Sequence, residues 1–252
     1  MIDFLENNAF FIGMIFVGIV SFINGTTESR SYFFRLAGNI TGKRSMGWAL
    51  HNAYHTLNRA SALSVILLLA LFLDLGISTR EMGWICVSAI TGVAMANVVM
   101  FLAIEEIKKK SIEALLTYEK TGNLLKTSLI LFTPIRSWFY AKPKMLIFRR
   151  AIENHSAFRY SVLIYSLFGL SLFLVVFLAA NFLSYRAFIL QTTAIVNVLG
   201  TFYLTSVLDP ILSRMLDSED DFEGIFLDVV YGRALAYIFV CPFIFLTIVF
   251  LT

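Results

Sequence analysis

Six apolar stretches, at residues 9 to 25, 46 to 73, 82 to 104, 160 to 181, 187 to 208 and 229 to 251, set the limits on what this chain can fold into. An α-helix crosses the roughly 30 Å of bilayer hydrocarbon in about 20 residues. Lipid cannot bond a backbone N–H or C=O, so runs of this length predict helices that satisfy their own backbone groups. With 58% apolar residues and a mean hydropathy of +0.79, the chain reads as an all-α polytopic membrane protein, residues 1–252 forming one integral membrane domain. The opening M-I-D-F-L-E-N-N is acidic where a cleaved signal would be basic, so the first run is expected to stay as a span. Cys86 and Cys241 fall inside predicted spans and read as small packing residues, with neither a disulfide nor a metal implied.

Orientation follows from Lys and Arg, which cytoplasmic loops retain. Residues 26 to 45 carry Arg30, Arg35, Lys43 and Arg44, and residues 105 to 159 carry eleven more, whereas the opposite loops carry Arg80 and Arg186. Both termini are therefore expected on the extracytoplasmic side. Residues 105 to 159 have a net charge of +6 and residues 209 to 228 a net of −6. Two readings stand: the segments dock on one another, or the basic one lies on anionic lipid while the acidic one is solvated. The stretch from Leu124 to Tyr140, with Trp138 and Tyr140 among apolar and cationic residues, has the pattern of an interfacial helix broken at Pro134.

Polar residues interrupt this hydrophobicity in one region. The run E-S-R-S-Y-F-F-R-L-A-G-N-I-T-G-K from Glu28 leads into a helix bearing His51, Asn52, His55, Asn58 and Arg59. His51, His55 and Asn58 fall at i, i+4 and i+7 on one helix face, with Asn52 and Arg59 beside them. Such a face must line a hydrated cavity or pack on polar partners. Glu28 and Arg35 follow the first span, Asp209 closes the fifth and Arg233 opens the sixth, so the ionisable groups collect at the inner-leaflet ends of several spans. Arg59, with mostly apolar sequence from Ala60 to Leu73 beyond it, is the deepest cation.

Plainer readings accompany these. Arg35, Lys43, Arg44 and Arg233 can snorkel to the interface. Arg59 can form a structural ion pair with Glu28 or Asp209, and Gln191 and Asn197 can join helices by hydrogen bonds. Ser88, Gly92 and Ala96 make a small-residue packing stripe. H-N-A-Y-H places two imidazoles one turn apart but has no Glu between them, so H-E-x-x-H is absent and no metal or other cofactor is read. No nucleophile elbow or phosphate-cradling glycine loop is found either, and no nucleic-acid partner is expected. The two histidines are also suited to carrying protons in a coupled transporter.

The run from Glu28 to Lys43, with the Ser31 and Tyr32 pair, R-L-A-G and T-G-K, resembles the N-terminal signature of the Amj family of bacterial lipid II flippases, alternates to the MurJ type. N-R-A-S-A around Arg59 is similar to that family's Arg followed by small residues. S-Y-R from Ser184, Gln191, Asn197 with G-T, V-L-D-P ending at Pro210 and Y-G-R-A-L around Arg233 resemble its later motifs in order and spacing. The chain departs from the pattern at His51 and His55, where the family is more apolar, and after Arg59, where its Asn and Pro-containing turn are missing. Those departures leave the identity of the glycan open.

The resemblance implies a protein of the bacterial plasma membrane that moves lipid II from the inner to the outer leaflet, in peptidoglycan synthesis, and is not an enzyme. Arg35, Arg59 and Arg233 would then line a cytoplasm-facing cavity and receive the pyrophosphate, which a guanidinium binds bidentately. Glu28 and Asp209 would hold these cations before substrate arrives, and His51, His55, Asn58 and Asn197 would meet sugar or peptide groups. Three spans on each side of the basic segment suit a pair of inverted halves. The alternatives are a proton-coupled transporter of another polyprenyl-linked glycan, an intramembrane enzyme acting on polyprenyl phosphates, and a scaffold whose charges pair helix to helix. Besides the lipid-linked glycan, anionic lipids are the expected partners.

The orientation is checked by cysteine accessibility in intact cells. A cysteine replacing Lys109 should resist a membrane-impermeant reagent until the membrane is permeabilised, and rapid labelling would invert the topology.

Overall fold

The computed structural model describes residues 2–133, 156–217 and 222–251, with side chains described for all of these except 2–7, 9, 59–63, 193, 194, 196, 197, 216 and 217. Among them there are helices and no strand. They are α1 (Ile2–Ile40), α2 (Arg44–Asp74), α3 (Thr79–Leu102), α4 (Ile104–Thr121), α5 (Leu124–Phe132), α6 (Ser156–Asn181), α7 (Arg186–Tyr203), α8 (Asp209–Asp217), α9 (Phe222–Leu235) and α10 (Cys241–Leu251). A π-helical segment, Leu204–Leu208, joins α7 to α8, and another, Ala236–Val240, joins α9 to α10.

Both π segments have the same local cause. Each ends one residue short of an X-Pro pair, Asp209-Pro210 and Cys241-Pro242. Proline brings no N–H to the i→i−4 ladder and its ring crowds the preceding turn, so the helix widens there and then resumes. Two continuous rods result, with Asp209 beside one widened turn and Arg233 and Tyr237 at the other.

Four helical stretches among the described residues have the length and apolar composition to cross a membrane: Phe10–Ile40, Thr79–Leu102, Ser156–Asn181 and Phe222–Leu251. The all-α membrane class expected from the sequence is thus observed, with four such helices by this measure against six runs in the sequence. The polar face occupying the first half of α2 leaves Ser64–Asp74 as its apolar stretch, and α7 is an 18-residue helix before its π segment. The polarity of the bundle is that of a protein in lipid. Phe11, Ile15, Ile19 and Ile23 are exposed along one face of α1 and Phe188, Ile195, Val198 and Phe202 on α7, while Arg30, Arg35, His51, Asn58, Asn97 and Arg233 are buried.

The basic stretch after the first span is a continuation of α1, which runs through Glu28, Tyr32 and Arg35 to Ile40. At 39 residues it is about 58 Å long, well beyond the hydrocarbon thickness. Three residues, with Gly42 at φ +71°, then turn the chain into α2. The crossing there is tight, since a Cβ on Gly47 would lie 2.4 Å from the Phe34 carbonyl oxygen. The small-residue stripe of α3 packs on α1: Ser88 Oγ donates to Met14 O at 2.6 Å, and Gly92 lies against the backbone of Gly18.

Beneath the long helices, α4 and α5 form a cap with its own small core of Phe34, Ala37, Leu50, Tyr54, Ala114, Leu115 and Leu131. Cations end α5, as the helix dipole favours. Arg30 donates to Leu131 O at 2.6 Å and Lys110 to Thr133 O at 2.9 Å. The interfacial pattern of the sequence is helical over Leu124–Phe132; Pro134, Trp138 and Tyr140 lie outside the described residues. Of the two readings of the oppositely charged segments, contact is seen among the described residues where Lys108 of α4 pairs with Glu223 of α9.

The α1–α3 crossing yields a stability prediction. Alanine at Gly92 gains about 1 kcal/mol in helix propensity, but its Cβ would sit 2.3 Å from Gly18 O, a backbone atom that cannot rotate away. Gly92→Ala should therefore lower the thermal midpoint in detergent by a net equivalent of about 1–3 kcal/mol. An unchanged or raised midpoint would show that the helices do not cross there.

Candidate functional site

Three helix faces meet inside the bundle, two of them built on one spacing. Glu28, Tyr32 and Arg35 lie at i, i+4 and i+7 on α1, His51, His55 and Asn58 repeat that spacing on α2, and Arg233, Tyr237 and Cys241 follow at i, i+4 and i+8 on the last rod. Tyr32 is the hub, 2% exposed. Its hydroxyl bonds that of Tyr165 on α6. The Arg35 and Arg233 guanidinium carbons lie 5.6 and 5.1 Å from its ring centroid, and the His51 ring centroid lies 4.7 Å away.

Both arginines are buried, Arg35 at 3% and Arg233 at 2% exposure. Arg35 stacks on Trp48 of α2, 3.7 Å from the ring centroid, and its Nη1 donates to Asp209 Oδ1 at 2.7 Å. This bond ties α1 to the start of α8. Arg233 is caged by Tyr32, Tyr165 and Tyr237, the latter two rings at 5.0 and 5.5 Å. Cation–π attraction at such a desolvated site contributes about 2 kcal/mol per good contact. Glu28 Oε2 lies 3.2 Å from Arg233 Nη2. The approach makes an ion pair, yet none of the Arg233 nitrogens has an aligned hydrogen-bond acceptor among the described residues. Of the two cations, Arg233 is charge-balanced but under-bonded, with spare N–H groups for an incoming oxygen anion.

The histidines pack against this hub. His51 is buried, with Nδ1 3.2 Å from Ser31 O, where a ring N–H donates, and its ring stacks on His55 at 5.7 Å between centroids. Among the described residues no three His, Cys, Asp or Glu gather as a metal-ligand set.

A cavity of about 120 Å³ adjoins the hub, bordered by Ser21, Asn24, Glu28, Asn58, Tyr237 and Cys241 and otherwise by apolar groups of α2, α3 and α6. It differs from the expected one. Arg35, Arg233, His51 and His55 are not among its walls, because the two arginines are drawn into carboxylate and aromatic contacts that bury them. Its volume is below the roughly 300 Å³ at which small-molecule pockets begin.

The structure thus brings together Glu28, Arg35, His51, His55, Asp209 and Arg233, with Asn58 on the cavity wall. Arg59 lies on α2 one residue past Asn58, and Asn197 lies on α7; both side chains are outside the described residues. Lys43, which had a snorkelling reading, pairs with Glu119 of α4. Sequence reasoning missed Tyr32, Trp48, Tyr165 and Tyr237 as site residues. Helical spacing could have found Tyr32, between Glu28 and Arg35 on one face, and Tyr237, one turn after Arg233. Trp48 and Tyr165 carry no local signal and enter through tertiary contact. Comparison with protein-family models, curated proteins and solved structures finds no match to this chain.

The pairing of Arg233 predicts a stability cycle. Glu28→Gln strands a buried guanidinium and should cost about 3–5 kcal/mol, whereas Glu28→Gln combined with Arg233→Met should recover most of that loss. Thermal midpoints of the single and double variants in detergent measure the difference. A double variant no more stable than the single one would mean that the pair is not what balances the buried charge.

Proposed function

We propose that this protein is a lipid flippase, carrying a polyprenyl-pyrophosphate-linked cell-wall precursor of the lipid II class from the inner to the outer leaflet of the bacterial plasma membrane. The observation that carries the reading is the buried pair Arg35 and Arg233, which flank one tyrosine inside an apolar bundle. Two adjacent phosphates need two adjacent cations. Guanidinium groups meet phosphate oxygens with parallel N–H bonds and keep their charge when partly buried. Among the described residues each also pairs with one carboxylate, which a phosphate can replace. The motifs similar to the Amj family supply the substrate class.

In this reading six helices cross the membrane, α2 and α7 joining the four longer apolar stretches, in two opposed halves of three, and both termini face outward. The cytoplasmic cap holds α1 and α2 through Arg30, Tyr54 and Lys43. Arg59, deepest in the membrane, receives the pyrophosphate after Arg35 and Arg233. His51, His55, Asn58 and Asn197 contact the glycan or its peptide. A disaccharide head group far exceeds a 120 Å³ cavity, so transport requires the rods to part. The Arg35–Asp209 and Lys108–Glu223 pairs are the contacts that separation breaks, since they join α1 to α8 and α4 to α9.

Proteoliposomes containing lipid II test the proposal, read as the appearance of head groups on the opposite leaflet. The wild type should translocate lipid II well above protein-free vesicles. Arg233→Lys and Arg59→Lys keep the charge but lose the fork, and should slow transport about tenfold or more, the equivalent of one lost charge-assisted hydrogen bond. Thermal midpoints should stay near that of the wild type. Translocation no faster than in empty vesicles would overturn the function, and fully active lysine variants would overturn bidentate recognition.

A further inference from the structure

Among the described residues, the charged side chain on the wall of the cavity beside the hub is Glu28. At about 120 Å³ the cavity has room for several water molecules, each needing roughly 10–15 Å³ on this measure. Its polar side is formed by Ser21, Asn24, Glu28 and Asn58. Ser21 is 2% exposed, and its Oγ has no hydrogen-bond partner among the described residues. On its other side the Glu28 carboxylate faces Arg233 at 3.2 Å. One carboxylate therefore stands between a partly polar cavity and a buried cation, which Asp209, paired with Arg35 and absent from the cavity wall, does not.

Charge balance gives that position a consequence. Arg35 and Arg233 are matched by Asp209 and Glu28. A pyrophosphate diester brings two negative charges, and when its oxygens take the unbonded N–H groups of Arg233 they leave Glu28 as a partly buried anion beside another anion. Two anions held at close range repel one another, and a proton on the carboxylate removes that repulsion. A metal cation at Glu28 would instead be repelled by Arg233. Among the described residues the groups that act on Glu28 are Tyr32 on α1, with Arg35 two turns along the same face, Tyr165 on α6, and Arg233 and Tyr237 on the last rod, while Asn58 of α2 and the Cys241 thiol share its cavity wall. Arg59 follows on α2, and α3 presents Ile90 and Val93 to the cavity. Glu28 is the carboxylate among them.

We infer that Glu28 is the site of a coupling proton: a proton arriving through the Ser21–Asn24–Asn58 cavity neutralises Glu28 and frees Arg233 for the pyrophosphate, and its loss re-forms the Glu28–Arg233 pair and expels the ligand. The inference rests on the carrier reading above and assigns its driving ion. The histidines, which are not among the walls of that cavity, are then ligand contacts rather than the proton carrier.

The test uses the full-length protein in detergent and a short-chain prenyl pyrophosphoryl-N-acetylglucosamine, a diester whose phosphates do not titrate near neutrality. Protonation favours the bound state, so affinity should be highest at mildly acid pH and weaken by about tenfold per pH unit as the pH rises, the slope of one linked proton. In a weakly buffered solution the wild type should take up one proton per ligand bound, a measurement that needs no variant. Glu28→Gln should bind with the acid-limit affinity at every pH and take up none. Replacing both His51 and His55 with Gln should preserve the slope even where it lowers affinity. Wild-type binding that is pH-independent and proton-free, or a slope that persists in Glu28→Gln, would overturn the inference while leaving the carrier reading intact. Failure of the wild type to bind the probe at any pH would overturn both.

Discussion

A guanidinium cannot be left alone in hydrocarbon, and this bundle is organised around two of them. Arg35 and Arg233 are nearly fully buried, so each needs an anion, aromatic faces or both to offset lost hydration. Those partners come from different parts of the chain. Asp209 reaches Arg35 from α8, Glu28 reaches Arg233 from α1, and Tyr32, Trp48, Tyr165 and Tyr237 supply faces from α1, α2, α6 and the last rod. The long helices are thereby joined by electrostatics at a level where lipid-like side chains alone would let them slide.

Backbone chemistry makes this meeting possible. Glycines at the α1–α2 and α1–α3 crossings let helices approach until a Cβ would strike main chain, the close packing on which association in lipid depends. Pro210 and Pro242 each follow a π segment, and the widened turns lie beside Asp209 and Tyr237. Helices that locally widen rotate the side chains beyond the bulge relative to those before it. The irregular turns and the charged hub thus occupy the same level of the bundle.

The two ion pairs are unequal. Arg35 has a short, aligned bond to Asp209 and a ring stacked beneath it, while Arg233 has charge balance without aligned acceptors. Arg233 therefore keeps more unused N–H bonding capacity than Arg35 among the described residues. Arg35 is the stiffer anchor.

Much of the architecture was legible in the residues alone, because lipid leaves few choices. Apolar runs near 20 residues must be helices, and helical spacing gathers Glu28 with Arg35 and His51 with His55 and Asn58 onto single faces, as observed. The small-residue stripe of α3 packs as its composition requires. Sequence could not decide which carboxylate pairs with which arginine, that α1 runs on as helix through its basic end, that aromatic rings rather than a wide aqueous cavity surround the cations, or that Glu28 faces a cavity and a cation at once. Spacing along a helix is periodic and can be read from one element. Pairings among residues up to 205 positions apart, as Glu28 and Arg233 are, depend on how helices rotate and cross, and only the packed tertiary structure determines that.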